Sequence, residues 1–169
     1  MTAVPSQMSR EAFVARFGGV FEHSPWIAKA AFDRGLGVEQ DRAAGLHAAM
    51  VAVLRAGGDD AKLALIRAHP DLAGRLALAG RLGAASSAEQ ASAGLDQCTP
   101  EELARFTELN AAYVARFGFP FIMAVKGRSR GEILAAFERR IANDRQAELL
   151  TALAEIEQIA RLRLADLLP

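Results

Sequence analysis

Two helical patterns in this sequence meet at one short stretch, Ala68-His69-Pro70-Asp71-Leu72-Ala73-Gly74. A proline disfavours the right-handed helical conformation in the residue before it, so the first helix is predicted to end at or near His69. Pro70 lacks a backbone N–H, which costs nothing at a first helical position, so the next helix can begin there. The junction indicates a chain of successive helices and places an imidazole at a stiff corner. A helix boundary that merely contains a histidine would show the same pattern.

Signals that begin helices recur on both sides of this junction. Thr99-Pro100-Glu101-Glu102 combines a capping threonine, a proline at the first helical position and a glutamate that completes a capping box. Ser24 is predicted to cap a helix whose first residue is Pro25. In chain order, the predicted helices cover about 10–17, 25–34, 38–55, 59–68, 71–82, 86–93, 100–117, 130–143 and 146–168. We therefore predict an all-α, single-domain bundle of about eight or nine helices over residues 1–169.

One apolar stretch, residues 117–125, breaks the helical rhythm. It carries Gly118 and Pro120 near its start, which predicts a short extended segment near residues 118–125. Such a segment is expected to be a buried strand or a loop that crosses the core. Buried irregular backbone must place its N–H and C=O groups somewhere, and an amide-rich ligand would be one partner.

Composition excludes several classes of function. The 169 residues hold 20 basic and 20 acidic side chains, so no net field favours a nucleic acid or an anionic membrane as partner. The single cysteine excludes an internal disulfide and a cysteine-rich zinc site. No charged-then-apolar leader, no run of 18 apolar residues and no lipidation signal are present. We expect a soluble, cytoplasmic protein.

Two polar positions besides His69 are candidates for chemistry, and each has a structural alternative. Ser86 and Glu89 have capping-box spacing, which by itself requires no further role, although a capped helix start also suits an anionic or carbonyl-bearing ligand. Arg163 lies in an apolar stripe of the last helix, so it should meet a carboxylate or carbonyl from protein or ligand. An internal ion pair or a side chain that reaches solvent would account for Arg163 equally well.

Other features indicate structure rather than chemistry. Asn110 shares a helix face with Tyr113 and is interpreted as a structural hydrogen-bond hub. No His-x-x-His, His-x-x-x-His or Glu-x-x-His spacing occurs, and no glycine-rich phosphate loop is present. We therefore predict no dedicated metal site.

Taken together, several short motifs resemble the family of 2-oxo-4-hydroxy-4-carboxy-5-ureidoimidazoline (OHCU) decarboxylases, enzymes of urate breakdown. The motifs, in chain order, are Glu22-His23-Ser24-Pro25-Trp26, His69-Pro70-Asp71-Leu72, Ser86-x-x-Glu89-Gln90, Asn110-x-x-Tyr113-x-x-x-Phe117-Gly118-Phe119-Pro120-Phe121, Glu132-Ile133-Leu134-x-x-Phe137-x-x-Arg140-x-x-Asn143 and the arginine of Leu162-Arg163-Leu164. No single motif is decisive, but the ordered set is specific and covers nearly the whole chain.

The resemblance implies an all-helical enzyme that uses no cofactor or metal and acts on a small ureidoimidazoline. It implies three catalytic residues: His69 as proton donor, Glu89 as its carboxylate partner and Arg163 as a contact from the last helix. The substrate-binding residues that it implies are Pro70, Ser86, Ser87, Ala88, Gln90, Phe121, Ile122, Met123, Ala124 and Val125. The product would be (S)-allantoin with loss of CO2.

Two rival functions stay open at this point. A non-catalytic helical binding or scaffold module would use the same polar residues only as caps and ion pairs. A decarboxylase or hydrolase of a related ureide is the second rival. The family tends towards dimers, so a homodimer is a candidate assembly, and the alanine-rich helix that starts at Glu101 could supply its interface.

Overall fold

The computed structural model describes residues 4–72 and 98–168. All regular secondary structure within these two ranges is helical. The seven α-helices within them are α1 (Arg10–Phe17), α2 (Trp26–Asp33), α3 (Ala43–Ala56), α4 (Asp59–Ala68), α5 (Pro100–Phe117), α6 (Arg130–Arg140) and α7 (Arg145–Leu167). Two short 3-10 helices, Pro5–Gln7 and Val38–Asp41, complete the described elements, which include no β-strand. The predicted all-α class is confirmed. The predicted helix at 86–93 and residues 73–82 of the predicted helix at 71–82 lie outside the described residues.

Local capping signals fix α5 where the sequence predicts it. The Thr99 hydroxyl accepts a hydrogen bond from the Glu102 N–H at 3.1 Å, and the Glu102 carboxylate accepts one from the Thr99 N–H at 2.9 Å. Gly118 ends the helix with φ +77°, a left-handed conformation that glycine adopts without steric cost. Both signals act within one helical turn, which is why sequence alone locates them.

The predicted helix over 38–55 is wrong at its start. Residues Val38–Asp41 form a 3-10 helix, Arg42 is extended, and α3 begins at Ala43. The Asp41 carboxylate accepts hydrogen bonds from the N–H and hydroxyl of Ser6, at 2.7 and 2.8 Å. A contact 35 residues away in the chain therefore holds Asp41 outside the helix.

The start of α2 and the end of α6 also differ from prediction. Pro25 occupies the capping position and α2 starts at Trp26, because the Ser24 hydroxyl donates to the Glu22 carbonyl at 2.9 Å and caps no helix. Helix α6 ends at Arg140, three residues before the predicted end at Asn143.

The helix predicted over 71–82 does not begin at Asp71, and Pro70 does not open a helix. Helix α4 ends at Ala68 as predicted, but residues 70–72 have no helical structure. The Leu72 carbonyl instead accepts a hydrogen bond from the Asn110 side-chain amide. Helix α5 therefore holds this carbonyl.

The described residues fall into two compact units, one drawn from Met1–Ala68 with Glu157–Pro169 and the other from His69–Ile156. In the first unit, α1, α2 and α3 pack through apolar faces that are fully buried. Phe13 lies at its centre, with ring centroids 5.0 Å from Phe17 and 5.4 Å from Phe32. Each buried ring of this kind contributes about 1.5–3 kcal/mol relative to an exposed one.

An aromatic cluster forms the core of the second unit. Tyr113 on α5 lies edge-on to Phe121 and Phe137, at 5.3 and 5.8 Å, and those two rings stack on each other at 3.8 Å. Phe121 belongs to the irregular segment and Phe137 to α6, so the stack ties that segment to a helix. Tilted and edge-on aromatic pairs add about 0.5–1.5 kcal/mol beyond the area that they bury.

Candidate functional site

The irregular segment at 118–125 is a buried loop, as one of the two predicted alternatives required. Phe121, Ile122, Ala124 and Val125 are buried, whereas Met123 is half-buried. No regular secondary structure occurs from residue 120 to residue 125. The polar groups of this backbone therefore need partners other than a helix or a sheet.

Two charged side chains supply some of those partners. Arg140 Nη1 donates to the Ile122 carbonyl at 2.6 Å, and the Ala124 N–H donates to the Glu155 carboxylate at 2.7 Å. Among the described residues, no protein group bonds to the N–H or the C=O of Met123, which lies between these two contacts. The loop is thus held on both sides of Met123 by charge-assisted hydrogen bonds.

Arg140 is itself anchored by a buried carboxylate. Its Nε donates to Glu148 Oε1 at 2.7 Å and its Nη2 lies 2.6 Å from the same oxygen. The guanidinium also lies 4.2 Å from the centre of the Phe121 ring. The Tyr113 hydroxyl donates to Glu148 Oε1 at 2.6 Å and the Asn143 amide donates to Oε2 at 3.0 Å. We call Tyr113, Arg140, Asn143 and Glu148 the Arg140 cluster.

Tyr113 stays neutral in this cluster. Burial is the largest cause that raises the pKa of Tyr113 above its ordinary value of 10.0, and the hydrogen bond to the Glu148 carboxylate raises it further. A neutral phenol donates a hydrogen bond to the carboxylate, whereas a phenolate would repel it. The cluster therefore keeps Tyr113 protonated as a hydrogen-bond donor to Glu148.

His69 is buried and immediately follows α4. The hydrogen bond from Asn110 to the Leu72 carbonyl fixes the chain three residues beyond the imidazole. Pro70, a predicted substrate contact, is half-buried in the same stretch. The Asn110 side-chain oxygen is buried without a hydrogen-bond partner in the described part of the chain, so the predicted role of Asn110 as a hub is only half realised.

Arg163 meets the carboxylate and the carbonyl that the sequence requires of it. Its Nη1 lies 3.0 Å from Glu22 Oε2 and 3.2 Å from the Val20 carbonyl, and both ionic side chains are buried. Glu22 belongs to the tight turn between α1 and α2, in which His23 has φ +47°. The hydrogen bond from Ser24 to the Glu22 carbonyl stabilises this turn and so orients the carboxylate.

Five predicted site residues lie outside the described residues: Ser86, Ser87, Ala88, Glu89 and Gln90. His69, Pro70 and residues 121–125 belong to one compact unit, and Arg163 belongs to the other. The roles of all these residues stay predictions. In the described ranges, 4–72 and 98–168, no group of three His, Cys, Asp or Glu side chains could hold a metal ion. Those ranges also contain no helix long and apolar enough to span a bilayer.

Sequence reasoning assigned no role to Glu22, Arg140, Glu148 or Glu155. Glu22 and Arg140 stand in motifs that carry the family resemblance, so that signal was present. Glu148 and Glu155 lie on α7, where a glutamate among many charged residues looks like a solvated position. Only their contacts identify them.

Comparison with known proteins gives concordant results. The family model described as OHCU decarboxylase matches residues 6–165. A 2-oxo-4-hydroxy-4-carboxy-5-ureidoimidazoline decarboxylase of Halalkalicoccus jeotgali is 43% identical over 162 residues, which are 96% of this chain and 88% of that protein. A protein of the same name from Haloferax volcanii is 40% identical over 161 residues, covering 95% and 92% of the two chains.

A solved structure has the same fold. The crystal structure of (S)-allantoin synthase matches with a TM-score of 0.75 and 30% sequence identity, over 97% of this chain. The match covers 52% of the crystallised chain, so this protein corresponds to about half of that one.

Proposed function

The chain belongs to the OHCU decarboxylase family, and on that premise we propose that it removes CO2 from 2-oxo-4-hydroxy-4-carboxy-5-ureidoimidazoline to give (S)-allantoin. The single observation that carries this proposal is the similarity over residues 6–165, at 43% identity to a relative of nearly equal length. Such coverage includes every motif of the proposed site. The substrate is a small molecule with a carboxylate and a hydroxyl on one ring carbon, next to a conjugated C=N.

The substrate itself supplies the electron sink. When the bond from the ring carbon to the carboxylate breaks, CO2 leaves and its bonding electrons enter the conjugated C=N. The resulting enediamine-like intermediate then takes a proton at the neighbouring carbon, which carries the ureido group. The hydroxyl on the carbon that lost CO2 gives up its proton and becomes a ring carbonyl of allantoin. The protein has to hold the carboxylate in a cleavable orientation, stabilise charge on the sink and deliver that proton to one face.

In this proposal His69 gives or relays the proton, and Glu89 orients the His69 imidazole. General acid help of this kind is typically worth about 10²–10⁴-fold in rate. The stiff backbone at Pro70 and the Asn110 contact to Leu72 support the proposed role, because both limit movement of the chain beside the imidazole.

Arg163 and the loop at 121–125 would contact the polar edges of the substrate. A guanidinium offers a planar fork of N–H donors, and the ion pair with Glu22 would keep that fork in one orientation. The Met123 N–H and C=O would meet substrate oxygen and N–H groups, since no protein group among the described residues bonds to them. Ser86, Ser87, Ala88 and Gln90 complete the proposed contacts.

The handedness of the product tests this function. Spontaneous decarboxylation of this substrate gives racemic allantoin, so we expect the protein to give a single enantiomer, followed by circular dichroism. His69→Asn and Glu89→Gln should each lower turnover by about 10²-fold or more while they fold normally. Racemic product at the uncatalysed rate would reject the function. Wild-type rates in both variants would reject the assignment of these two residues.

A cytoplasmic location and a homodimer are further parts of the proposal. On α5, Leu103 and Val114 are 39% and 41% exposed, and a spacing of 11 residues places them on one helix face. Two large apolar side chains on an exposed face would suit contact with a second copy of the chain. Light scattering should then give the dimer mass for the wild type and the monomer mass for Leu103→Glu. Cell fractionation tests the location.

A further inference from the structure

The two peptide groups that flank Met123 are each held at one end by an ionic side chain. The first group joins Ile122 to Met123, and its carbonyl accepts from Arg140 at 2.6 Å. The second joins Met123 to Ala124, and its N–H donates to Glu155 at 2.7 Å. The C=O and N–H of a trans peptide point in opposite directions. Fixing these two ends therefore also fixes where the N–H and the C=O of Met123 point.

The charges on Arg140 and Glu155 each strengthen the hydrogen-bonding group at the other end of the peptide group that they contact. A guanidinium on a carbonyl draws electron density from that peptide group, which makes its N–H a better donor. A carboxylate on an N–H has the reverse effect and makes the carbonyl of that group a better acceptor. Arg140 therefore makes the Met123 N–H a stronger hydrogen-bond donor, and Glu155 makes the Met123 C=O a stronger acceptor.

We propose that Arg140 and Glu155 are positioning residues that orient and polarise the Met123 N–H and C=O as a donor–acceptor pair for the substrate. The inference rests on the proposed function, which supplies a ligand with both carbonyl oxygens and N–H groups. A ureido group presents these two kinds of atom side by side, so it matches such a pair. Arg140 and Glu155 act through the loop and are not themselves substrate contacts.

The burial pattern agrees with this role. Met123 is the half-buried member of residues 121–125, and its four neighbours in that range are buried. The Arg140 cluster and the stacking of Phe121 on Phe137 fix the loop on the buried side. A loop fixed in this way loses little conformational entropy when a ligand binds, which favours affinity.

Variants of Glu155 give the direct test, because this side chain is only half-buried and the loop keeps its Arg140 contact. Glu155→Gln keeps an acceptor for the Ala124 N–H and removes the charge, while Glu155→Ala removes both. We expect the KM for OHCU to rise by about 3-fold in the first and about 10-fold in the second. The dissociation constant of (S)-allantoin should follow the same order. The Ala124 amide proton resonance should shift in step, since it reports the hydrogen bond.

Glu157→Gln is the matched control. Glu157 lies two residues further along α7 and pairs with Arg55 at 2.7 Å, so this change also removes an ionic contact from the same helix. It should leave the KM and the Ala124 resonance unchanged. Unchanged KM in both Glu155 variants, in a wild type that makes (S)-allantoin, would overturn the inference and leave the function standing.

Two other outcomes also decide the matter. Lower stability and lower kcat with an unchanged KM would make Glu155 merely structural and would overturn the inference. A wild type that does not accelerate OHCU decarboxylation would overturn the proposed function instead. In that event, a titration with (S)-allantoin tests whether the Met123 backbone binds such a ligand. The inference is overturned if the Met123 amide resonance does not shift.

Discussion

Two buried arginines of this protein have the same kinds of partner but are embedded differently. Arg163 is 7% exposed, pairs with Glu22 and donates to the Val20 carbonyl. Arg140 is 8% exposed, pairs with Glu148 and donates to the Ile122 carbonyl. Each satisfies the requirement that a buried cation meet a carboxylate.

The difference lies in what each carboxylate does besides pairing. Glu148 is fully buried and also accepts from Tyr113 and Asn143, so four side chains share one charge. Glu22 is held by a local turn, and its second oxygen lies 3.8 Å from the exposed imidazole of His23. We infer that the Arg140 cluster fixes the loop and so positions Met123, whereas the Arg163 pair orients a guanidinium for its proposed contact with the substrate.

Removal of Arg140 should have the largest effect on stability. Arg140→Met leaves the Glu148 charge buried without its cation, which typically costs about 3–5 kcal/mol. The free energy of unfolding, measured by urea denaturation, should fall by that amount. Arg139→Met is the control on the same helix, because Arg139 is exposed and its loss should change stability by less than about 0.5 kcal/mol. Equal stability in the two variants would show that the Arg140 cluster adds nothing to the free energy of unfolding.

Arg163→Lys should affect catalysis more than stability. Lysine keeps the charge beside Glu22 but loses the planar fork, so we expect kcat/KM to fall by about 10-fold with little change in melting temperature. Arg161→Lys, on the exposed side of α7 where Arg161 donates to Gln158 at 3.1 Å, should leave both quantities unchanged. Wild-type kinetics together with a large drop in melting temperature would make Arg163 a structural residue and not a substrate contact.

The smallest expected effect is a pH dependence of the free energy of unfolding, caused by Tyr113 in the Arg140 cluster. The native pKa of Tyr113 is raised, so its stabilising contribution is complete below about pH 10, where the unfolded tyrosine ionises, and is lost progressively above that pH. The free energy of unfolding should therefore fall by up to about 1.4 kcal/mol per pH unit more steeply in the wild type than in Tyr113→Phe.

Tyr113 is the only tyrosine, so tyrosinate absorbance reports this group alone. Parallel pH profiles for the wild type and Tyr113→Phe would mean that Tyr113 ionises as easily in the folded chain as in the unfolded one.

Prediction from sequence succeeded where the deciding contacts are local. The capping box at Thr99 and the end of α4 before His69 depend on residues within one turn of each other. Prediction failed at Asp41, Ser24 and Pro70, where a distant or competing hydrogen bond took a group that a helix would otherwise use. The requirement that Arg163 meet a carboxylate could be predicted, but the identity of Glu22 could not.

The sequence by itself determined the all-α class, most helix ends, the family and the residue types of the proposed site. These follow from short-range backbone preferences and from motifs that can be read in order. Only the tertiary structure decided which carboxylate meets which arginine, and that Arg140 and Glu155 hold the backbone on either side of Met123. The reason is physical: the partner of a buried charge or an irregular peptide group is chosen by packing between segments far apart in the chain, and no local pattern encodes that choice.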